Sequence, residues 1–232
     1  MEDYKGEEML KEFKYSTFKF EENDKQLIED VANYLDCCAE GIFNFFEIQF
    51  SGQKANFTII TNKNDFDKEY RIKTNFPTEK EIPNWLVGCS VNEGIIMLSY
   101  NDYKNVESHK TDTFDHYKRT IVHEFVHYVN KLFQKQRNCG KTEVYLAEGL
   151  ACYLSGQYEG KNTNLNCNLE DLINRKHVNY GNYLLLTKHL IENYDKNFIF
   201  ELIESNRKAR DFLQSKLYRE VKILEDNRKL DK

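Results

Sequence analysis

Two histidines four positions apart enclose a glutamate in His123-Glu124-Phe125-Val126-His127, and no other segment has residue types and spacing as well suited to chemistry. On a helix, positions i and i+4 share a face, so both imidazoles can reach one metal ion. Glu124 stands about 100 degrees further round, beside such an ion rather than facing it. A carboxylate there can take a proton from a metal-bound water without being a ligand itself. Ile121, Val122, Phe125, Val126, Val129, Leu132 and Phe133 nearly encircle the helix with apolar side chains, which predicts that it is buried. Buried imidazoles need partners. The alternative is a pair of hydrogen-bonded core histidines with Glu124 on a solvated face.

A zinc site needs a third protein ligand from another part of the fold. Glu148 lies within TEVYLAEGLACYLSG, among Val144, Leu146, Ala147, Leu150, Ala151 and Leu154. An unpaired carboxylate there would cost on the order of several kcal/mol, which a metal, a salt bridge or a helix end could offset. The small residues Ala147, Gly149 and Ala151 would let this helix approach the first one closely. His109, His116 and His189 have no spacing partner and read as surface or core residues.

HEFVH, then twenty residues, then the Glu148 of LAEGLACYL resembles the gluzincin metallopeptidases, the thermolysin- and aminopeptidase-like superfamily. More closely, the chain is similar to small peptidase-MA-like domains. Pro83-Asn84-Trp85 with Gly88, then GIIMLSY, fill the middle positions of that pattern, and NYGNYLLLTKHLIENYDKNFIFELI is similar to its later helical pair. The resemblance covers roughly residues 24 to 205, with only HExxH and Glu148 sharply specific. It implies a zincin-like fold with one zinc ion held by His123, His127 and Glu148, and a fourth position left for water. Zinc would lower the pKa of that water toward about 7, and Glu124 would accept its proton during attack on a peptide carbonyl. Related peptidases supply a tyrosine or histidine after the E-G helix to steady the oxyanion. Here the candidates are Tyr180, Tyr183 and His177, with Tyr180 preferred and ordinary packing as the alternative for each. The resemblance also implies that a substrate strand pairs with an edge strand at Gly94 to Tyr100. Two departures matter: Cys152 stands where thermolysin-like sequences carry an aspartate that supports a ligand imidazole, and the aminopeptidase G-x-M-E-N signature is missing. No exopeptidase activity is inferred, and endo- versus exopeptidase action stays open.

The elements that must position these residues follow from periodicity. YSTFKFE and ANFTIIT read as strands, with a helix between them carrying Leu27, Val31, Leu35, Cys38, Ile42 and Phe45, capped by Asn23 or Asp24. NDFDKEYRI reads as a short helix. WLVGCSV and GIIMLSY flank Asn92-Glu93-Gly94, a hairpin in which Gly94 takes a positive φ. From Phe114 onward only helical stripes remain, at about 114–136, 142–156, 168–175, 179–193, 196–205 and 207–225. Strands first and helices afterwards predict an α+β fold. We expect a single zincin-like domain over 1–232, with a small, mostly antiparallel sheet plus helix in about 15–105 and a helical half in about 113–225.

Hydrophobic residues at 40% and aromatics at 14% predict a globular chain with ring-rich packing. A net charge of -5 with interspersed signs gives no electrostatic footprint for nucleic acid or for an anionic membrane surface. The first residues have no apolar signal region, no stretch is long enough to span a bilayer, and the six cysteines show no CxxC pair. A reduced, cytoplasmic protein is the expectation, with removal of an export signal as the alternative. Two functional classes remain: a zinc peptidase acting on peptide or protein substrates, and a non-catalytic peptide-binding module that keeps zinc to hold two helices together. A structural site would prefer cysteine and histidine ligands and would not need Glu124. A metal-free interaction protein requires HExxH and Glu148 to coincide by chance.

Overall fold

The computed structural model describes residues 7–91, 94–159, 163–174 and 179–230. The chain divides into two compact units, Met1–Val129 and Asn130–Lys232.

The first unit carries the sheet. Its elements are β1 (Glu8–Glu12), β2 (Ser16–Glu21), α1 (Lys25–Phe45), β3 (Ala55–Ile60), α2 (Lys63–Thr74), β4 (Gly88–Val91), β5 (Gly94–Leu98), α3 (Tyr100–Tyr103) and α4 (Phe114–Arg137), whose last turns run on into the second unit. The strand order is β1-β2-β3-β5-β4. The α+β class is as expected, but the sheet is mixed rather than mostly antiparallel. β1 and β4 pair antiparallel with their neighbours, whereas β2, β3 and β5 run parallel. The reason is connectivity: α1 and α2 are crossovers, and a crossover returns the chain to the end from which it started. β1 has no apolar period and no buried residue, so nothing in EMLKE announces it as a strand. It is an outer strand in which three of five residues, Glu8, Lys11 and Glu12, are charged, and edge charges discourage further pairing.

One face of this sheet forms the core. Phe18, Phe20, Ala55, Phe57, Ile59, Ile95 and Met97 occupy it and are buried. Phe18 stacks on Phe57 at 4.6 Å, and Phe43 of α1 meets Phe125 of α4 edge-on at 5.9 Å. The buried stripe of α1 is Ile28, Val31, Ala32, Leu35, Ala39, Ile42 and Phe43, with Leu27, Cys38 and Phe45 on its flanks. Asp24 precedes α1 after a single 3-10 turn, yet its side chain makes no capping bond; it is buried, and burial raises its pKa, with Glu21 adding to the shift. Gly94 has φ +150, and a Cβ there would collide with the Asn56 carbonyl, so the positive φ expected of it is real. Asn92 and Glu93, the rest of that turn, lie outside the described residues.

The second unit is helical: the end of α4, then α5 (Val144–Ser155), α6 (Leu169–Asn174), α7 (Tyr180–Asn193), α8 (Lys196–Glu204), α9 (Asn206–Phe212) and α10 (Tyr218–Leu230). A π-helical turn, Leu213–Leu217, joins α9 to α10, so the stripe expected over 207–225 is one continuous helical run. Side chains set the helix starts: Asn179, Asp195 and Ser205 accept from the main-chain N–H groups of Asn182, Phe198 and Lys208. Gly156, at φ +65, ends α5. Among the described residues no helix is long and apolar enough to cross a membrane.

Candidate metal centre

α4 places its chemistry by burial. From Thr120 to Val126 every residue is buried, so the helix is enclosed on all sides, as its apolar ring predicts. Tyr117 donates a 2.9 Å hydrogen bond to the Leu98 carbonyl, fixing the early turns of α4 to the end of β5. Tyr128 reaches the Gln53 carbonyl at 3.1 Å. Between these anchors His123 and His127 project together, with their Nε2 atoms 3.1 Å apart. Two imidazole nitrogens sharing a tetrahedral zinc would lie about 3.3 Å apart. The pair therefore stands close to the separation a shared cation needs.

Among the described residues, His123, His127 and Glu148 form a group able to hold a metal ion, with one ligand atom from each within 4.8 Å of the others. Closing that spread to ligand distance needs a shift on the order of 1.5 Å, within reach of a glutamate's side-chain torsions. Two imidazoles and a carboxylate are the donor set of many catalytic zinc sites, whereas structural sites favour thiolates. His123 is buried, and His127 and Glu148 are half-buried.

Glu124 is buried too, at 8% exposure. Its neighbour is Gly88, the first residue of β4: a Cβ on Gly88 would lie 3.3 Å from Glu124 Cγ and would collide with the Met97 side chain. A bare glycine is thus what lets β4 pass so close to the glutamate.

The segment carrying Glu148 is held by polar clasps. Asn130 and Gln134, near the end of α4, donate to Thr142 Oγ1 at 3.2 and 2.8 Å, pinning the link into α5. Tyr145 donates to the Ala209 carbonyl at 3.1 Å. Arg210 meets Glu143 at 3.3 Å. Gly149, next to Glu148, is pressed against α7: a Cβ would overlap the Thr187 hydroxyl and lie 2.6 Å from the Tyr183 carbonyl. At this position the small residue admits α7. Cys152, one turn on, is buried, and burial together with the Glu148 charge holds its thiol well above the usual range. It is a neutral thiol, 3.6 Å from Gln157 Oε1.

Tyr180 begins α7 and is half-buried, its ring 6.3 Å from that of the buried Tyr183. It lies about one helical turn from the contact with Gly149. His177 lies outside the described residues. The remaining histidines have partners: His109 with Asp112, His116 with Thr113, and His189 with Glu220.

The expected edge strand is corrected. β5 lies between β3 and β4, paired on both sides, and the outer strand is β4. The signal was present in the sequence: Ile95, Ile96, Met97 and Leu98 are apolar in succession, which marks a strand covered on both faces, and all four are buried. The closeness of Gly88 to Glu124 carried no such signal, because one glycine in a short strand has many explanations.

No family model matches the chain, and no curated protein or solved structure matches it either.

Proposed function

We propose that the chain is a zinc-dependent peptidase in which His123, His127 and Glu148 hold the ion and Glu124 is the general base. The observation that carries this reading is the pair of Nε2 atoms at 3.1 Å on an enclosed helix, with the Glu148 carboxylate in the same 4.8 Å group. When bound, zinc supplies Lewis acidity toward a peptide carbonyl and lowers the pKa of water. Glu124 takes the proton of the attacking water and returns it to the leaving amine. Its position favours this work: it lies one residue from His123 and beside β4, the outer strand along which an extended peptide can add. Tyr180 is the proposed second donor to the developing oxyanion. Substrates are peptides or proteins. All six cysteines are free, in keeping with the reducing cytoplasm we propose as the location.

Metal analysis and turnover test the reading together. The purified chain should carry one zinc per molecule, and His123→Ala should lose it. Glu124→Gln should keep zinc while peptide turnover falls by roughly 10²- to 10⁴-fold. Zinc without turnover of any peptide would point to the binding module instead. Undiminished turnover in Glu124→Gln would remove the mechanism.

A further inference from the structure

Trp85 is the only tryptophan in the chain, and it is 51% exposed. A single exposed apolar side chain is ordinary and needs no function. What sets this one apart is the bracing of its main chain. Leu86 N–H donates to the Pro83 carbonyl at 3.0 Å, closing a turn around Asn84 and Trp85, and the proline ring fixes φ at its start. The Trp85 carbonyl lies 3.3 Å from His109 Nε2. His109 is held in turn: its Nδ1 is 2.8 Å from Asp112, and its ring lies 4.4 Å from that of Tyr103. Tyr103 is fully buried and donates to the same Asp112 carboxylate at 2.7 Å. The polar chain leads from the interior out to the backbone of an exposed indole.

The braced turn leads directly into β4. Val87 accepts from Leu98 N–H at 2.8 Å, which directs its main chain toward β5. In an antiparallel ladder this direction alternates, so the main-chain groups of the next residue, Gly88, point away from β5. Gly88 is the residue packed against Glu124. Trp85 precedes it by three positions, which places the two Cα atoms no more than about 10 Å apart. An extended peptide advances about 3.3 Å per residue, so its side chains meet Trp85 within about three residues of the bond beside Glu124.

We propose that Trp85 is a specificity-determining residue, its indole taking an aromatic or bulky aliphatic side chain of the substrate within three residues of the scissile bond. This rests on the peptidase reading and adds a substrate class to it. An indole on an already ordered turn can do this at reduced entropic cost, because the backbone that carries it need not be fixed on binding. Aromatic contact also outlasts small changes in substrate register, since a flat ring presents area rather than a directional bond.

The test uses one decapeptide library made as two pools, neither containing tryptophan: one includes Phe, Tyr, Leu and Met, and the other omits them. Cleavage by the full chain is mapped by mass spectrometry, and Trp85 fluorescence is followed in Glu124→Gln, which binds without turnover. The expected result is enrichment of the bulky residues at one fixed position within three of the cut. The emission of Trp85 should shift with the first pool and much less with the second. Trp85→Ala should shrink the rate ratio between pools by about tenfold, the usual worth of one apolar subsite contact, mainly through KM. Cleavage with no positional preference, or an unchanged ratio in Trp85→Ala, overturns the proposal and leaves the peptidase reading standing. No cleavage of either pool overturns the peptidase reading. In that case a pool-selective emission shift keeps Trp85 as a recognition residue, and no shift removes it.

Discussion

The sheet-bearing unit and the helical unit hold their functional residues by different means. In the first, His123, Glu124 and His127 are placed chiefly by apolar enclosure: a helix buried on all sides from Thr120 to Val126, with Phe125 edge-on to Phe43, and two tyrosine hydrogen bonds anchoring its turns. In the second, Glu148 is placed by directional contacts: the Thr142 clasp, the Arg210–Glu143 pair, the Tyr145 bond to Ala209 and the close meeting of Gly149 with α7. Apolar enclosure contributes most to stability per residue, while hydrogen bonds contribute modestly but fix geometry. On the proposed zinc reading, damage to the apolar core of the first unit should therefore show mainly as lost stability, and damage to the clasps of the second mainly as lost zinc affinity.

Three substitutions would break or sharpen that contrast. The largest expected effect is Phe57→Ala, which removes a fully buried ring stacked on Phe18 and should cost about 3–5 kcal/mol in denaturant unfolding. A loss under about 1 kcal/mol would mean that the stacked rings do not carry the unit. Next is Gly149→Ala. The added methyl collides with Thr187 and the Tyr183 carbonyl, an overpacking cost of about 1–3 kcal/mol set against about 1 kcal/mol of gained helix propensity. A lower melting temperature with weaker zinc binding is expected, and a rise in melting temperature would show that α5 and α7 have room to spare. The smallest is Thr142→Val, which leaves the Asn130 and Gln134 donors without that acceptor and should cost about 1 kcal/mol or slightly more. Zinc titration should show a proportionally greater change than unfolding does; equal changes would dissolve the distinction between the two units.

How much could be read in advance depended on the same difference. The helices of the second half were legible within one or two residues except at the far end of the last, which runs on to Leu230, since apolar stripes such as Leu213, Leu217 and Val221 recur on one face. β2, β3 and the α1 stripe were legible because a two-residue or 3.6-residue apolar period marks the covered face. β1 was not, because none of its residues is buried and its apolar pair, Met9 and Leu10, is adjacent rather than alternating. Nor was the parallel pairing of β2, β3 and β5, which depends on where the crossovers return the chain. His109 illustrates the limit for polar groups: it has no spacing partner in sequence, yet the fold brings Asp112, Tyr103 and the Trp85 carbonyl around it.

By itself the sequence determined the local chemistry: that two imidazoles share a helical face, that a glutamate stands beside them, and that the helix bearing them is buried. Those features follow from residue type and from the period of one helix, both written in consecutive residues. Only the tertiary structure decided that Glu148 joins the two histidines within 4.8 Å, that β4 rather than β5 is the outer strand, and that Gly88 brings this strand against Glu124. Each of these relates residues distant along the chain, and such distances are set by packing and strand order, which no local period encodes.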